Sequence, residues 1–314
     1  MPGGIYTQTV CLLLRDELSL EQLQQALAEY AIRKRVPASD NWGFGGDTLV
    51  LDYRPNVNGY VAVDVVNKPW PDDMGDPKTE PLIFGAWTMS GFGPITFPGG
   101  LQRAMQQCWA WEPGRTLPAE QRGFLRVRSS YVFGASDNSP IRPQDYDAEQ
   151  DLEFVTKVAA SLLALPQALC YFNPGGEVLR SAEMVIENLD YAANHELPPL
   201  ELWSNIRLFN IDDNWSMMDT VGNGQLDLPD IEAVFSRKYD PGDVDAFLRN
   251  ATLYLLTEGQ VLNTGDTMDG PGNALWQVHL FENGLVDPPR KVLCFIPQDG
   301  TTPPDAALDR EKSS

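Results

Sequence analysis

Two hairpin signals constrain the fold of this chain more than any other feature. Residues 48–53 and 60–66 are rich in β-branched and aromatic side chains and flank a Pro-Asn-Val-Asn-Gly turn. A second pair of strand-like runs, at 168–172 and 177–179, flanks the turn Asn-Pro-Gly-Gly. Turns this short join antiparallel strands, so we expect antiparallel pairs in the sheets.

A strand and a helix precede each hairpin. Residues 5–15 are assigned to a strand, and a helix follows from Ser19 with Gln22 at capping-box spacing. Strand 124–133 and helix 147–165 precede the second hairpin in the same way. The repeated β-α-β-β order predicts an α+β fold with antiparallel or mixed sheets flanked by helices, built as two related lobes.

The repeat also sets the expected domain boundaries. We expect an N-terminal lobe over 1–120, a C-terminal lobe over 121–298 packed with it as one body, and a frayed tail over 299–314. Within the first lobe, residues 81–88 are assigned to a further strand and residues 101–111 to a helix.

The charge of the chain is strongly negative. There are 44 acidic and 23 basic residues, a net charge of −21, and residues 158–314 carry −15 of it. Such a surface repels nucleic acid and anionic membranes and attracts basic proteins. Negative charge can also serve solubility alone, but its concentration in the second half favours a basic protein partner.

Residues of the usual catalytic types are few and scattered. The two histidines, His195 and His279, lie far apart, which argues against a His-based zinc site or a Ser-His-Asp triad. The sequence contains no nucleophile elbow, phosphate loop or dinucleotide fingerprint, so we predict no cofactor and no catalytic residue.

The cysteines and the hydropathy bear on the compartment. The four cysteines are widely spaced, and three lie in apolar strand-like runs, as expected of buried free thiols in a reducing compartment. No export signal and no apolar run of membrane-spanning length is present. We therefore expect a cytoplasmic protein.

The segment 219–230 is the best candidate for a metal site. It resembles a calcium loop, but Val221 at the third position cannot ligate and no helix is predicted before it. The alternative is a glycine-rich turn that precedes a strand. The candidate ligands, at loop positions 1, 5, 9 and 12, are Asp219, Asn223, Asp227 and Asp230.

Tryptophans in polar loops are candidate anchors for a protein partner. Trp42 and two others lie in such loops, whereas Trp109 lies in an apolar helix and is assigned to the core. The alternative for each loop tryptophan is a lid over the protein's own core. The predicted partner-binding residues are Trp70, Asp72, Asp73, Asp76, Asp212, Asp213 and Trp215.

Several short motifs carry a family resemblance. They are Ser-Tyr-Val-Phe-Gly at 130–134, the hairpin at 168–179, Asp-Thr-Val-Gly at 219–222, Leu-Pro-Asp-Ile-Glu at 228–232 and Gly-Asp-Thr at 265–267. Their order resembles a bacterial family defined only as a domain of unknown function, over residues 120–298. The resemblance implies no active-site residues.

The length and acidity resemble those of another class, the immunity proteins paired with nuclease-type toxins of type VI secretion systems. That resemblance implies a cytoplasmic antidote that occludes a basic cognate toxin. Two alternatives stay open: a metal- or carboxylate-dependent hydrolase built on residues 212–230, and an adaptor subunit of a secretion apparatus.

Overall fold

The computed structural model describes residues 7–39, 45–133 and 141–311. The chain divides into two compact units, Met1–Trp203 and Ser204–Ser314. The division therefore lies after Trp203 and not at the predicted boundary between residues 120 and 121.

The first unit is built on one antiparallel sheet. Its strands are β1 (Thr9–Leu14), β2 (Ile32–Val36), β3 (Asp47–Arg54), β4 (Gly59–Val66), β5 (Gly123–Ser130), β6 (Ala168–Asn173) and β7 (Val178–Arg180). They lie in the order β2-β3-β4-β5-β1-β6-β7, and each neighbouring pair is antiparallel. Both predicted hairpins, β3-β4 and β6-β7, are confirmed.

Strand β1 explains why the predicted lobes are not separate. It is fully buried and hydrogen-bonded to β5 on one side and to β6 on the other. Both neighbours come from the predicted C-terminal lobe. Separating the lobes would break three strand pairings, β4-β5, β5-β1 and β1-β6, and leave their backbone groups unpaired, which is unfavourable. The two β-α-β-β runs therefore contribute strands to a single sheet.

The helices of the first unit follow local signals. They are α1 (Leu20–Ala26), α2 (Pro81–Thr88), α3 (Gly100–Gln106), α4 (Ala148–Leu162), α5 (Ala182–His195) and α6 (Leu200–Trp203). The predicted capping box at Ser19 and Gln22 is present, and Asp147 caps α4. Residues 81–88 were assigned to a strand, which is wrong. Pro81 stands at the first helical position, where its missing N–H costs nothing.

The second unit is built on a mixed sheet. Its strands are β8 (Asn205–Asn210), β9 (Trp215–Val221), β10 (Asp230–Ser236), β11 (Thr267–Gly270), β12 (Ala274–Phe281) and β13 (Val292–Pro297), and its helices are α7 (Pro241–Glu258) and α8 (Asp305–Leu308). The order is β11-β12-β13-β10-β9-β8. The β10-β13 pair is parallel and the other pairs are antiparallel.

Successive side chains of each strand point to opposite faces of this sheet. On one face, α7 packs Val244, Leu248 and Leu255 into a core with Phe235 and Trp276. The opposite face carries a second cluster, which includes Met217, Val234 and Phe281 and is covered by Ala307 of α8. Each face of the sheet therefore carries an apolar cluster.

The predicted frayed tail is ordered over its described part. Ala307 is fully buried, Arg310 pairs with the buried Glu232, and Asp299 accepts a hydrogen bond of 2.6 Å from the Tyr239 hydroxyl. The polar composition of residues 299–314 does not indicate these contacts, because they are made by single residues with distant partners.

The predicted α+β class is confirmed, since helices pack on antiparallel and mixed sheets in both units. Within the described residues, every helix is too short or too polar to cross a membrane.

Candidate functional site

The two tryptophans predicted to bind a partner are core residues. Trp70 is 4% exposed, and its ring lies 5.2 Å from the ring centroids of Phe92, Phe124 and Phe172. Trp215 is 9% exposed and belongs to the cluster under α8. This prediction was wrong because polar neighbours in sequence do not show which way a loop side chain turns. Trp42 lies outside the described residues.

Trp109 shows the opposite error. It was assigned to the core, but its side chain is 60% exposed. Helix α3 ends at Gln106, three residues before Trp109, so the helical period that placed it inside does not apply. The Arg115 guanidinium lies 4.5 Å from its ring centroid, a cation–π contact at the surface.

The acidic residues of the first unit that are predicted to contact a partner accept hydrogen bonds from backbone N–H groups, in turns and at the start of a helix. Asp72 accepts hydrogen bonds of 2.8 Å from the backbone N–H groups of Leu101 and Gln102, at the start of α3. Burial raises the pKa of Asp72, although these bonds favour its charged form. Asp73 and Asp76 are exposed and accept backbone N–H bonds within their own loop.

The predicted acidic contact residues of the second unit lie at the β8-β9 turn. Asp212 and Asp213 are both exposed there. Asp212 accepts the backbone N–H groups of Asn214 and Trp215 at 2.7 and 2.8 Å, which closes the hairpin.

Arginines occupy the carboxylates of the predicted calcium loop. Asp219 is fully buried on β9 and accepts two hydrogen bonds from Arg207 on β8, at 2.9 and 2.6 Å. Arg290 Nη2 lies 2.5 Å from Asp219 Oδ2, and Arg290 Nε lies 3.0 Å from Asp230 Oδ2. Thr220 donates to Asp230 as well. Two carboxylates and two guanidinium groups thus form a closed, electrically balanced cluster.

The remaining candidate ligands do not complete a metal site. Asn223 is buried and donates to Pro229 and Thr252, while Asp227 is exposed and holds a left-handed turn with φ of 59°. No group of three or more His, Cys, Asp or Glu side chains with metal-binding geometry occurs in the described part of the chain. Residues 222–229 therefore form the turn between β9 and β10, and arginines hold the carboxylates that the calcium-loop interpretation requires as ligands.

The cysteines are buried and form no disulfide, as predicted. Burial raises the pKa of the Cys11 thiol to about 12 and also raises that of Cys294 well above its usual value. A thiol held in its neutral form is a poor nucleophile. These residues pack the core.

A further buried ion pair lies beside the balanced cluster. Its two residues must be left out, with those of the cluster, when the charge of the surface is counted. Glu232 on β10 is fully buried and lies 2.7 Å from Arg310 Nη2. The second unit has 18 acidic and 8 basic residues. Because Asp219, Asp230 and Glu232 are matched by three arginines, the rest of the unit keeps 15 acidic residues against 5 basic ones.

A groove lies on this acidic unit between α7 and the turn that joins β11 to β12. We call it the acidic groove; it has a volume of about 480 Å³ and is open to solvent. Within the described part of the chain, neither of its carboxylates, Asp243 and Asp269, has an ion-pair or hydrogen-bond partner. Residues from both sides line it, namely Asp243, Phe247, Asn250, Asp269, Pro271 and Asn273.

Aromatic packing holds the two walls of the acidic groove together. Phe247 on α7 lies 5.2 Å from the ring centroid of Trp276 on β12. The opposite wall passes so close to Trp276 that a Cβ at Gly270 would lie 2.4 Å from its ring. The unpaired carboxylates of this groove can accept a basic side chain of a partner protein.

Sequence reasoning missed the acidic groove, because Asp243 and Asp269 come together only in the folded unit. The Arg207–Asp219 pair did leave a signal. The turn at 212–214 closes a hairpin, and antiparallel pairing around it sets Arg207 opposite Asp219. A sequence prediction that included this hairpin would have placed Asp219 opposite Arg207, as an ion pair.

The comparisons with known proteins add one family match. The profile of the domain of unknown function DUF4261 matches residues 219–296, a quarter of the chain. The matched segment includes Asp219, Arg290 and both carboxylates of the acidic groove, and it excludes Arg207 and Arg310. Neither the curated proteins nor the solved structures gave a significant match.

Proposed function

We propose that this protein binds a basic partner protein through the acidic groove and acts as a cytoplasmic antidote. We infer the class of the partner from the resemblance, in length and acidity, to immunity proteins of type VI secretion systems. The proposed partner is a nuclease-type toxin. A nuclease presents lysine and arginine side chains to phosphate groups, so an acidic protein can cover that surface and exclude the substrate.

One observation carries the proposal: the acidic groove presents two carboxylates that have no partner among the described residues, on a unit with 15 acidic residues left against 5 basic ones. Long-range attraction from the unit would speed association with a basic protein. Short-range contacts in the acidic groove would then fix the position of one of its arginines or lysines.

The geometry favours binding over the hydrolase alternative in the segment for which hydrolysis was considered. Asp219 and Asp230 are buried and neutralised by arginines, so neither is available as a general base. An adaptor in a secretion apparatus would also bind a protein, and the identity of the partner separates it from an antidote.

The test is a titration of the purified protein with the basic protein encoded beside it, inactivated at its catalytic site. We expect tight binding that weakens steeply as sodium chloride is raised. The double variant Asp243→Asn/Asp269→Asn should weaken it by about tenfold or more. The matched control, Asp73→Asn/Asp76→Asn, removes the same charge from an exposed loop of the first unit and should bind as the wild type does.

Two results would overturn parts of this proposal. Equal binding by the groove and control variants would exclude the acidic groove as the contact. No binding of any basic neighbour at low salt, with no protection of cells that express it, would overturn the antidote role.

A further inference from the structure

A second cluster of charged side chains lies in the first unit, on the face of the sheet that α2 and α3 cover. Strand register sets Thr48 opposite Asp64, and Asp64 opposite Arg126. Residues directly opposite each other share a face of the sheet. Arg128, two residues after Arg126 on β5, lies on the same face.

Asp64 is fully satisfied by two neighbours. Thr48 Oγ1 donates to its Oδ1 at 2.6 Å, and Arg126 Nε donates to its Oδ2 at 2.8 Å. Arg126 also donates to the carbonyl oxygen of Gly91 at 2.5 Å. With side-chain exposures of 6% and 8%, Asp64 and Arg126 form a buried pair.

Arg128 is a cation in excess of this pair. Its nearest carboxylate oxygen is Asp64 Oδ2, at 3.9 Å, beyond hydrogen-bond distance and already bonded to Arg126. Burial and the neighbouring Arg126 both lower the pKa of Arg128. An arginine stays charged in proteins all the same. Two guanidinium groups therefore share the carboxylate of Asp64.

A cavity of about 350 Å³ opens onto this cluster. Asp64, Arg126 and Arg128 form its charged side, while Ala86, Met89 and the Ser90–Gly91 backbone contribute a largely apolar side. Arg128 keeps a third of its side chain exposed, so its donors are accessible from solvent. Pockets of this size and mixed lining are typical of sites for small molecules.

We propose that this cavity binds a small organic anion through a carboxylate or phosphate group, with Arg128 as its anchor. Among the described residues, no carboxylate lies within hydrogen-bond distance of Arg128, and an anion would supply the missing charge and hydrogen bonds. The fork of guanidinium N–H groups matches two oxygens of a carboxylate or phosphate. The volume limits the ligand to a small molecule and leaves room for an apolar portion against Met89.

The test is isothermal titration of the full chain with sodium phosphate and, separately, with sodium succinate, each against sodium chloride at matched ionic strength. We expect saturable binding of at least one anion. Arg128→Gln should weaken it by about tenfold or more, because one charged hydrogen-bonding group is lost. The matched control, Arg33→Gln, removes an exposed arginine that pairs with Asp52 and should leave binding unchanged.

The separate titrations with phosphate and succinate distinguish the two kinds of anion. Arg128→Lys keeps the positive charge but loses the planar fork, so it should bind either anion more weakly than the wild type. It also keeps the proposal testable if Arg128→Gln does not fold.

The proposal is overturned if neither anion binds beyond the chloride control, or if Arg128→Gln binds like the wild type. Because the cavity and the acidic groove lie in different units, Asp243→Asn/Asp269→Asn should bind phosphate normally, so the two proposals can fail separately.

Discussion

The two units use the same residue types in their buried clusters and reach different charge balances. In the second unit, Arg207 and Arg290 face Asp219 and Asp230, two cations against two anions. In the first unit, Arg126 and Arg128 share Asp64.

This difference in charge balance distinguishes a structural cluster from a candidate binding site. A balanced cluster satisfies its own donors and acceptors and joins strands that are distant in sequence. An unbalanced cluster at a cavity retains the capacity to bind an ion of opposite charge. The residue types are the same, so the count of charges and the access of solvent decide between the two roles.

Breaking the balanced cluster should have the largest effect. Asp219→Asn removes the carboxylate that accepts two hydrogen bonds from Arg207, which is 1% exposed. We expect a loss of about 3–5 kcal/mol in the free energy of unfolding of the second unit. Urea unfolding with hydrogen exchange on peptides from β8 to β10 measures it, and Asp213→Asn, at the exposed turn, is the control. A loss like that of the control would show that the cluster is not stabilising.

Asp64→Asn should destabilise the protein less than Asp219→Asn does, and it should also make the stability depend on phosphate. It removes the shared carboxylate, so we expect a loss of about 3 kcal/mol from the first unit. The cavity then loses the negative charge of Asp64 beside both arginines, so phosphate should bind more tightly and restore part of the stability. Thermal unfolding with and without phosphate measures both effects. Destabilisation that phosphate does not relieve would contradict the anion site.

Because Asp64 contributes to stability in its ionised form, the stability of the first unit should depend on pH. Although burial opposes its ionisation, the cations of Arg126 and Arg128 and the bond from Thr48 together lower the pKa of Asp64. Its contribution to stability is therefore complete above the unfolded value of about 3.9 and is lost as pH falls below it. The stability difference between wild type and Asp64→Asn should therefore shrink as pH falls from about 4 toward the lowered pKa of the folded state. A constant difference would show that Asp64 does not titrate there.

Arg310→Ala tests the single pair beside the balanced cluster. Glu232 keeps its bond from the backbone N–H of Leu285 at 2.9 Å, so the expected loss is smaller, about 2 kcal/mol. Limited proteolysis should cut the tail after Gly300 faster than in the wild type. Unchanged proteolysis would show that α8 holds the tail without Arg310.

Arg128→Gln should have the smallest effect on folding. Since its closest contact is 3.9 Å long and its side chain is a third exposed, the free energy of unfolding should change by only about 0.5 kcal/mol or less. Urea unfolding measures it. A loss like that of Asp64→Asn would mark Arg128 as part of the structural cluster.

Local signals in the sequence predicted most of the elements. The capping box at Ser19 and the turns of both first-unit hairpins are short-range features, and all are present. The helix at 81–88 was assigned to a strand because an apolar run of eight residues fits either structure. The positions of Trp70, Trp109 and Trp215 were wrong because burial depends on packing against distant residues.

The sequence by itself determined the α+β class, the antiparallel hairpins and the strong negative charge, because turn residues, periodicity and composition are properties of neighbouring residues. Only the tertiary structure decided that β1 joins both β-α-β-β runs in one sheet and that Asp219 faces Arg207 and Arg290. It also brought Arg128 to a cavity beside an already bonded Asp64. The physical reason is that a carboxylate looks the same in sequence whether an arginine, a metal ion or water is to be its partner. That partner is set by strand register and by which distant chain segments pack against it.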